Sequence, residues 1–192
     1  MKSAIFSSAI AIFATLATAL PTAAPAEPTV GSPAPPQVQV LQVINSSAVV
    51  NINEDTPGTA LGVSTTGIVS RTNKGHNSQA LVKFDFPQGL GGHKCRLAFG
   101  SPAHFSGTGE IQVYTIGDAN IASATFNQRP FRDQFKGTFR VSGWGEAEVV
   151  DVSGLTFDCP TQGPKAYEVV SVGDNNEVVW YAAWGGLRID VL

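Results

Sequence analysis

The stretch KFDFPQGLGGHKCRLAF, residues 83–99, brings a carboxylate, an imidazole and a thiol together: Asp85, His93 and Cys95. Those are the groups of a Cys/His nucleophile with its orienting acid, or of part of a metal site. A nucleophile of this kind needs a free thiolate with a base held within hydrogen-bond reach. Here Val82, Phe84 and Phe86 share one strand face, which turns Asp85 to the other, and Gly91-Gly92 ahead of His93 read as an ordinary turn. Only one other cysteine occurs, Cys159, and an even pair in an oxidising compartment reads first as a disulfide. Cys95 shares its face with Leu97 and Phe99, and Cys159 with Leu155 and Phe157, so each cysteine ends an inward-facing row. A bridge closing so long a loop stabilises by about 4 kcal/mol if unstrained. We therefore expect a Cys95–Cys159 disulfide rather than a catalytic thiol.

Other reactive groups are scattered. His76, His93 and His104 show no i, i+2 or i, i+4 spacing, so no metal site is assigned. Asn53-Glu54-Asp55 has oxygens that suit Ca²⁺, although a solvated turn explains the same residues. None of the 15 acids is marked out as one of a facing catalytic pair. There is no G-x-S-x-G elbow and no phosphate loop. No catalytic residue or cofactor is expected.

Aromatic residues offer a different chemistry. Trp144 stands between Gly143 and Gly145, a turn-like setting poorly suited to a core ring. Trp184 precedes Gly185-Gly186, with Trp180 and Tyr181 just upstream. Flat exposed rings stack on sugar faces or anchor a protein partner. Trp144, and after it Trp184 and Tyr181, are the candidate ligand-binding residues; Trp180 and Trp184 could instead cap the ends of a sandwich.

The elements that must carry these residues read as β-strands. From Val38 onward, short runs rich in Val, Ile, Phe and Thr alternate with Gly, Pro, Asn and Asp clusters, with no sustained helical period. Strands are expected at 38–44, 48–52, 67–71, 80–86, 95–100, 110–116, 137–143, 147–152, 155–159, 166–172, 177–183 and 187–192. Leu187, Ile189 and Val191 face in, and Arg188 and Asp190 out, which suits an antiparallel β-sandwich with one wet side per sheet. Turn residues at 173–176 and 185–186 make the last three strands read as a meander. Residues 53–66 and 117–136 are the candidate functional loops.

At the N-terminus, Lys2, the apolar run 4–16 and the small-x-small site Ala17-Thr18-Ala19 have the composition of a secretory signal peptide over residues 1–19. A membrane span wants about 20 continuous apolar residues; here Ser and Thr interrupt the run and Pro21 ends it. Residues 20–37 are a Pro/Ala-rich spacer with little to bury. We expect a secreted protein with one domain at 38–192 and no membrane span. The net charge is −3 and no Lys/Arg cluster occurs, which argues against a nucleic-acid partner. Asn45-Ser46-Ser47 is one glycosylation sequon, with Asn45 as its acceptor.

The ordered elements FDFP, C-x-L-x-F, T-F-N-x-x-P, F-x-C-P and a C-terminal G-L-x-I, with GTALGVSTTGIVSR ahead of them and GTFRVSGW among them, resemble a fungal domain family. That family is named for the C-terminal region of ubiquitin-3-binding protein. The resemblance spans about residues 38–192. It implies a secreted or cell-surface β-sandwich in which Cys95 and Cys159 pair and Thr125, Asn127 and Pro130 form a turn, with no catalytic residues. A weaker likeness joins LVKFDFP, RLAF, IQVYTI and TFNQRP to secreted jelly-roll modules that bind carbohydrate. The reading is therefore a non-enzymatic, jelly-roll-like cell-wall or extracellular protein with polysaccharide or a surface protein as partner. The alternatives are a protein-binding domain of a ubiquitin-like pathway, which the family name implies, and a small secreted hydrolase.

Overall fold

Two pairs of adjacent apolar residues, Val49-Val50 and Leu81-Val82, break the alternation of their strands, and both are fully buried. A strand with apolar residues at successive positions must be covered on both faces. The fold meets that demand with two cores. The structure, a computed structural model, describes residues 38–192; the leader and spacer expected over 1–37 lie outside the described residues.

Fourteen strands occur there: β1 (Gln42–Ile44), β2 (Ala48–Asn53), β3 (Val63–Ser64), β4 (Thr66–Thr72), β5 (Gly75–Phe86), β6 (Lys94–Phe99), β7 (His104–Ser106), β8 (Glu110–Ile116), β9 (Arg132–Arg140), β10 (Glu148–Asp151), β11 (Thr156–Asp158), β12 (Gly163–Ser171), β13 (Asn176–Tyr181) and β14 (Leu187–Val191). The smaller sheet has the order β1-β14-β6-β11. The larger runs β10-β9-β8-β12-β5-β4-β13-β7, with β2 on β5 and β3 on β2. Every pairing is antiparallel. The expected all-β sandwich is present. Spatial neighbours are seldom neighbours in sequence, as in jelly rolls.

The principal core lies between the sheets. Cys95, Leu97, Phe99, Leu187, Ile189 and Val191 of the smaller sheet meet Val82, Phe84, Val113, Phe139 and Val169 of the larger. Trp180 joins them edge-on to Phe99, with ring centroids 5.2 Å apart. Gly67 and Gly186 lie against its indole so closely that a Cβ at either position would fall on the ring. The Cys95–Cys159 bridge forms as expected, with Cα atoms 5.0 Å apart. It joins β6 to the residue that follows its neighbour β11.

The second core corrects the expectation of one wet face per sheet. Val50, Ile52, Leu81 and Ala166, on the outer face of the larger sheet, are covered by Ile121 and Ala124 from the β8–β9 connection. Burying a large apolar side chain contributes roughly 1.5–3 kcal/mol, and this holds the connection down. Residues 117–131 are therefore a packed cover, and 132–136 belong to β9 rather than to a loop. The T-F-N-x-x-P turn is built as the resemblance implies. The Thr125 hydroxyl accepts the Gln128 N–H at 3.0 Å, and the Asn127 N–H reaches the Pro57 carbonyl at 2.9 Å.

The C-terminal meander is not formed. β12 pairs with β5 and β8, β13 with β4 and β7, and β14 with β6 and β1. The glycine turns reverse the chain where expected, but turn chemistry does not specify which strand becomes the neighbour. The first strand is also shorter than 38–44, because β14 ends at Val191 and the last bond is from the Leu41 N–H to the Val191 carbonyl.

Candidate functional site

Gly143 and Gly145 have φ of 148° and 114°, values that L side chains rarely adopt. The tight bend they permit pushes the Trp144 indole into solvent, where it is 83% exposed. The bend is anchored. Gly145 donates its N–H to the Ser101 hydroxyl at 2.7 Å, and Ala147 donates to the Phe99 carbonyl at 2.9 Å. Glu146 pairs with Arg188 at 3.0 Å. Trp144 flanks a small groove of about 190 Å³ with Pro102, His104 and Phe105.

The β13–β14 connection reaches the same place. The Trp184 and Gly185 N–H groups both return to the Tyr181 carbonyl, at 3.3 and 2.9 Å, and this turn lays Trp184 over Tyr181. Their ring centroids are 4.8 Å apart with planes 32° from parallel. Trp184 is 63% and Tyr181 45% exposed. Gly185 packs on the Ser101 carbonyl, so the loops bearing Trp144 and Trp184 converge on the residues just after β6. Trp180, by contrast, is 1% exposed. The three exposed candidates gather at one end of the sandwich, while Trp180 belongs to the core.

The groups of residues 83–99 are not assembled. Cys95 is oxidised and fully buried. His93 offers its carbonyl to the Cys159 N–H at 3.0 Å. Asp85 is exposed and pairs with Lys83 at 3.3 Å; a hydrogen bond from the Ser47 side chain, and after it Lys83, hold its carboxyl below the usual range. The oxygens of Asn53-Glu54-Asp55 are engaged within the protein. Asn53 caps the Asp55 N–H at 2.6 Å, Glu54 accepts the Asn77 N–H at 3.0 Å, and Asp55 meets His76 at 2.7 Å. Asn45 is exposed between β1 and β2.

Two buried carboxylates escaped the sequence reading. Glu168 of β12 is fully buried and accepts from Arg132 at 2.8 Å, with Arg129 at 3.7 Å. The Arg132 guanidinium also lies 4.4 Å over the Tyr114 ring. Asp190 of β14, expected to face out, does so but is 1% exposed, sealed between Arg96 at 2.8 Å and Arg188 at 3.0 Å. A signal was present for the first: an acid inside the apolar run AYEVV requires a cationic partner.

Among the described residues no helix is long and apolar enough to cross a membrane. No curated protein matches the chain. A family model does match, over residues 47–185, and it takes in both cysteines, the T-F-N-x-x-P turn and the exposed aromatic residues while leaving out β1 and β14. The chain belongs to the family described as the ubiquitin 3 binding protein But2 C-terminal domain.

Proposed function

We propose that the protein is a secreted, non-enzymatic binding module of this family that holds a cell-wall or extracellular polysaccharide on its aromatic end. The observation that carries the reading is the exposure of Trp144, Trp184 and Tyr181 on anchored loops that converge at Ser101. Rings presented on a rigid frame lose little conformational entropy on binding, and a sugar's C–H face stacks on them without a deep pocket. The leader composition supports an extracellular address.

A protein partner is the second reading, favoured by the family's description as a binding-protein domain. The same aromatic end would then serve as the anchor, because exposed Trp and Tyr dominate protein interfaces. The cover 117–131 offers less to such a partner than a free loop would, since Ile121 and Ala124 are committed to the second core.

Incubation of the purified protein with insoluble chitin, β-glucan, mannan and cellulose separates the readings. Selective depletion by one polymer is the expected result. Retention on none would overturn the polysaccharide reading, and a pull-down from surface extracts would then test the protein partner.

A further inference from the structure

A second concave surface lies at the other end of β6. The inner face of the larger sheet carries Ile111 and Val113 on β8 and Val169 on β12, all in the principal core. Two residues further along each strand the same face reaches Thr115 and Tyr167, which are paired across the ladder, and then Lys165. The smaller sheet does not extend over them. Its edge strand there, β11, is only 3 residues long. The inner face consequently opens to solvent as a groove of about 360 Å³ beside the disulfide, walled by Phe157 and Pro160.

The groove is positively charged and holds a donor without a protein acceptor. Lys136 enters it from a bulge: Val113 pairs with Gly137 and Tyr114 with Phe135, so Lys136 is the extra residue between them. Its ammonium also reaches the Gln134 amide oxygen at 3.1 Å. Lys165 is exposed and, among the described residues, forms no ion pair. Among the described residues, the one carboxylate lining the groove is Asp158, which is held by Lys94 at 2.6 Å. Tyr167 is 3% exposed and packs edge-on against Phe84 at 5.8 Å. Among the described residues its hydroxyl has no hydrogen-bond partner and is not one of the sealed, unpaired polar atoms, so the oxygen stays open to the groove that Tyr167 lines. Burial raises its pKa well above the ordinary value of 10.0, and the group is an O–H donor across the physiological range.

The site thus offers two ammonium groups and an unpaired O–H donor to an anion, against a wall of apolar rings. Its volume is near the lower end of the roughly 300–1,000 Å³ that ligand clefts occupy, which fits one ring rather than a chain. We propose that this groove binds a carboxylate borne on a six-membered ring, with Lys136, Lys165 and the Tyr167 hydroxyl on the carboxylate and Phe157 and Pro160 against the ring. A uronic acid residue of a polysaccharide and a free aromatic acid share that chemistry. The proposal does not depend on the aromatic end, from which β6 separates it.

Calorimetric titration of the protein with glucuronate, galacturonate and benzoate, each beside its neutral counterpart glucose, galactose or benzyl alcohol, tests it. At least one acid should bind, and its neutral counterpart should bind at least tenfold more weakly. Binding of the uronates alone assigns the site to acidic sugars, and binding of benzoate alone to free aromatic acids. Lys165→Met and Tyr167→Phe should each weaken the acid at least tenfold without changing the melting temperature; the first alters an exposed side chain and the second removes only the unpaired hydroxyl. If Tyr167→Phe fails to fold, Lys165→Met carries the test alone. Equal affinity for acid and neutral ligand, no binding of any acid, or full affinity in the folded variants would each overturn the proposal.

Discussion

The two ends of β6 show two ways for one sandwich to meet solvent. Past Phe99, the chain places Trp144, Tyr181 and Trp184 outward on glycine-bearing turns, and the rings stand exposed. At Cys95, the smaller sheet stops short, and Tyr167 lies in a recess beneath Phe157 and Pro160. The first end is made by local sequence, since W between two glycines is exposed wherever the turn is placed. The second is made by topology, because its lining comes from β8, β9, β11 and β12 and the chain that follows β11. Exposed rings favour extended ligands without net charge, and a recess with two lysines favours a small anion.

The comparison predicts unequal sensitivity to mutation. The Cys95 end rests on a covalent link, so Cys95→Ser should cause the largest loss, about 4 kcal/mol in urea unfolding, together with reduced yield of folded protein. Unchanged stability would show that the recess is held by packing alone.

Next is the buried ion pair that fastens the cover of the second core. Glu168→Ala leaves Arg132 and Arg129 without their acid and should cost about 3 kcal/mol by the same unfolding assay. Because Glu168 is 0% exposed, a loss within about 0.5 kcal/mol would mean that the arginines find water instead.

A smaller effect follows from the recess itself. Above pH 10.0 the unfolded chain ionises Tyr167 while burial keeps the folded residue protonated. The unfolded state is then favoured, so stability present below that pH is lost as pH rises. Wild type should lose more stability than Tyr167→Phe between neutral pH and pH above 10.0. Parallel pH profiles would place the phenol in water rather than in the groove. The smallest change in stability belongs to Trp144→Ala, within about 0.5 kcal/mol.

These contrasts also mark what the sequence disclosed. Alternation in 80–86 and 187–192 correctly identified the core faces, and the placement of Cys95 and Cys159 at the ends of apolar rows anticipated their bridge. The exposure of Trp144 was legible from its two glycines. The doubled apolar pairs Val49-Val50 and Leu81-Val82 also hold the information for a second core, which strict alternation, with its single buried face per strand, does not express. Two features were beyond local pattern. Strand order in the C-terminal third depends on long-range pairing, and the Tyr167 groove depends on where the partner sheet ends. The bulge that brings Lys136 into that groove arises only from the register of β9 on β8.

The central claim is that the aromatic end holds polysaccharide, and the most direct test compares wild type with Trp144→Ala on the polymer that retains the protein, with melting curves measured in parallel. In that variant retention should be lost while the melting temperature is unchanged. Full retention by the folded variant would contradict it, and loss of retention together with a large fall in melting temperature would make Trp144 a structural residue.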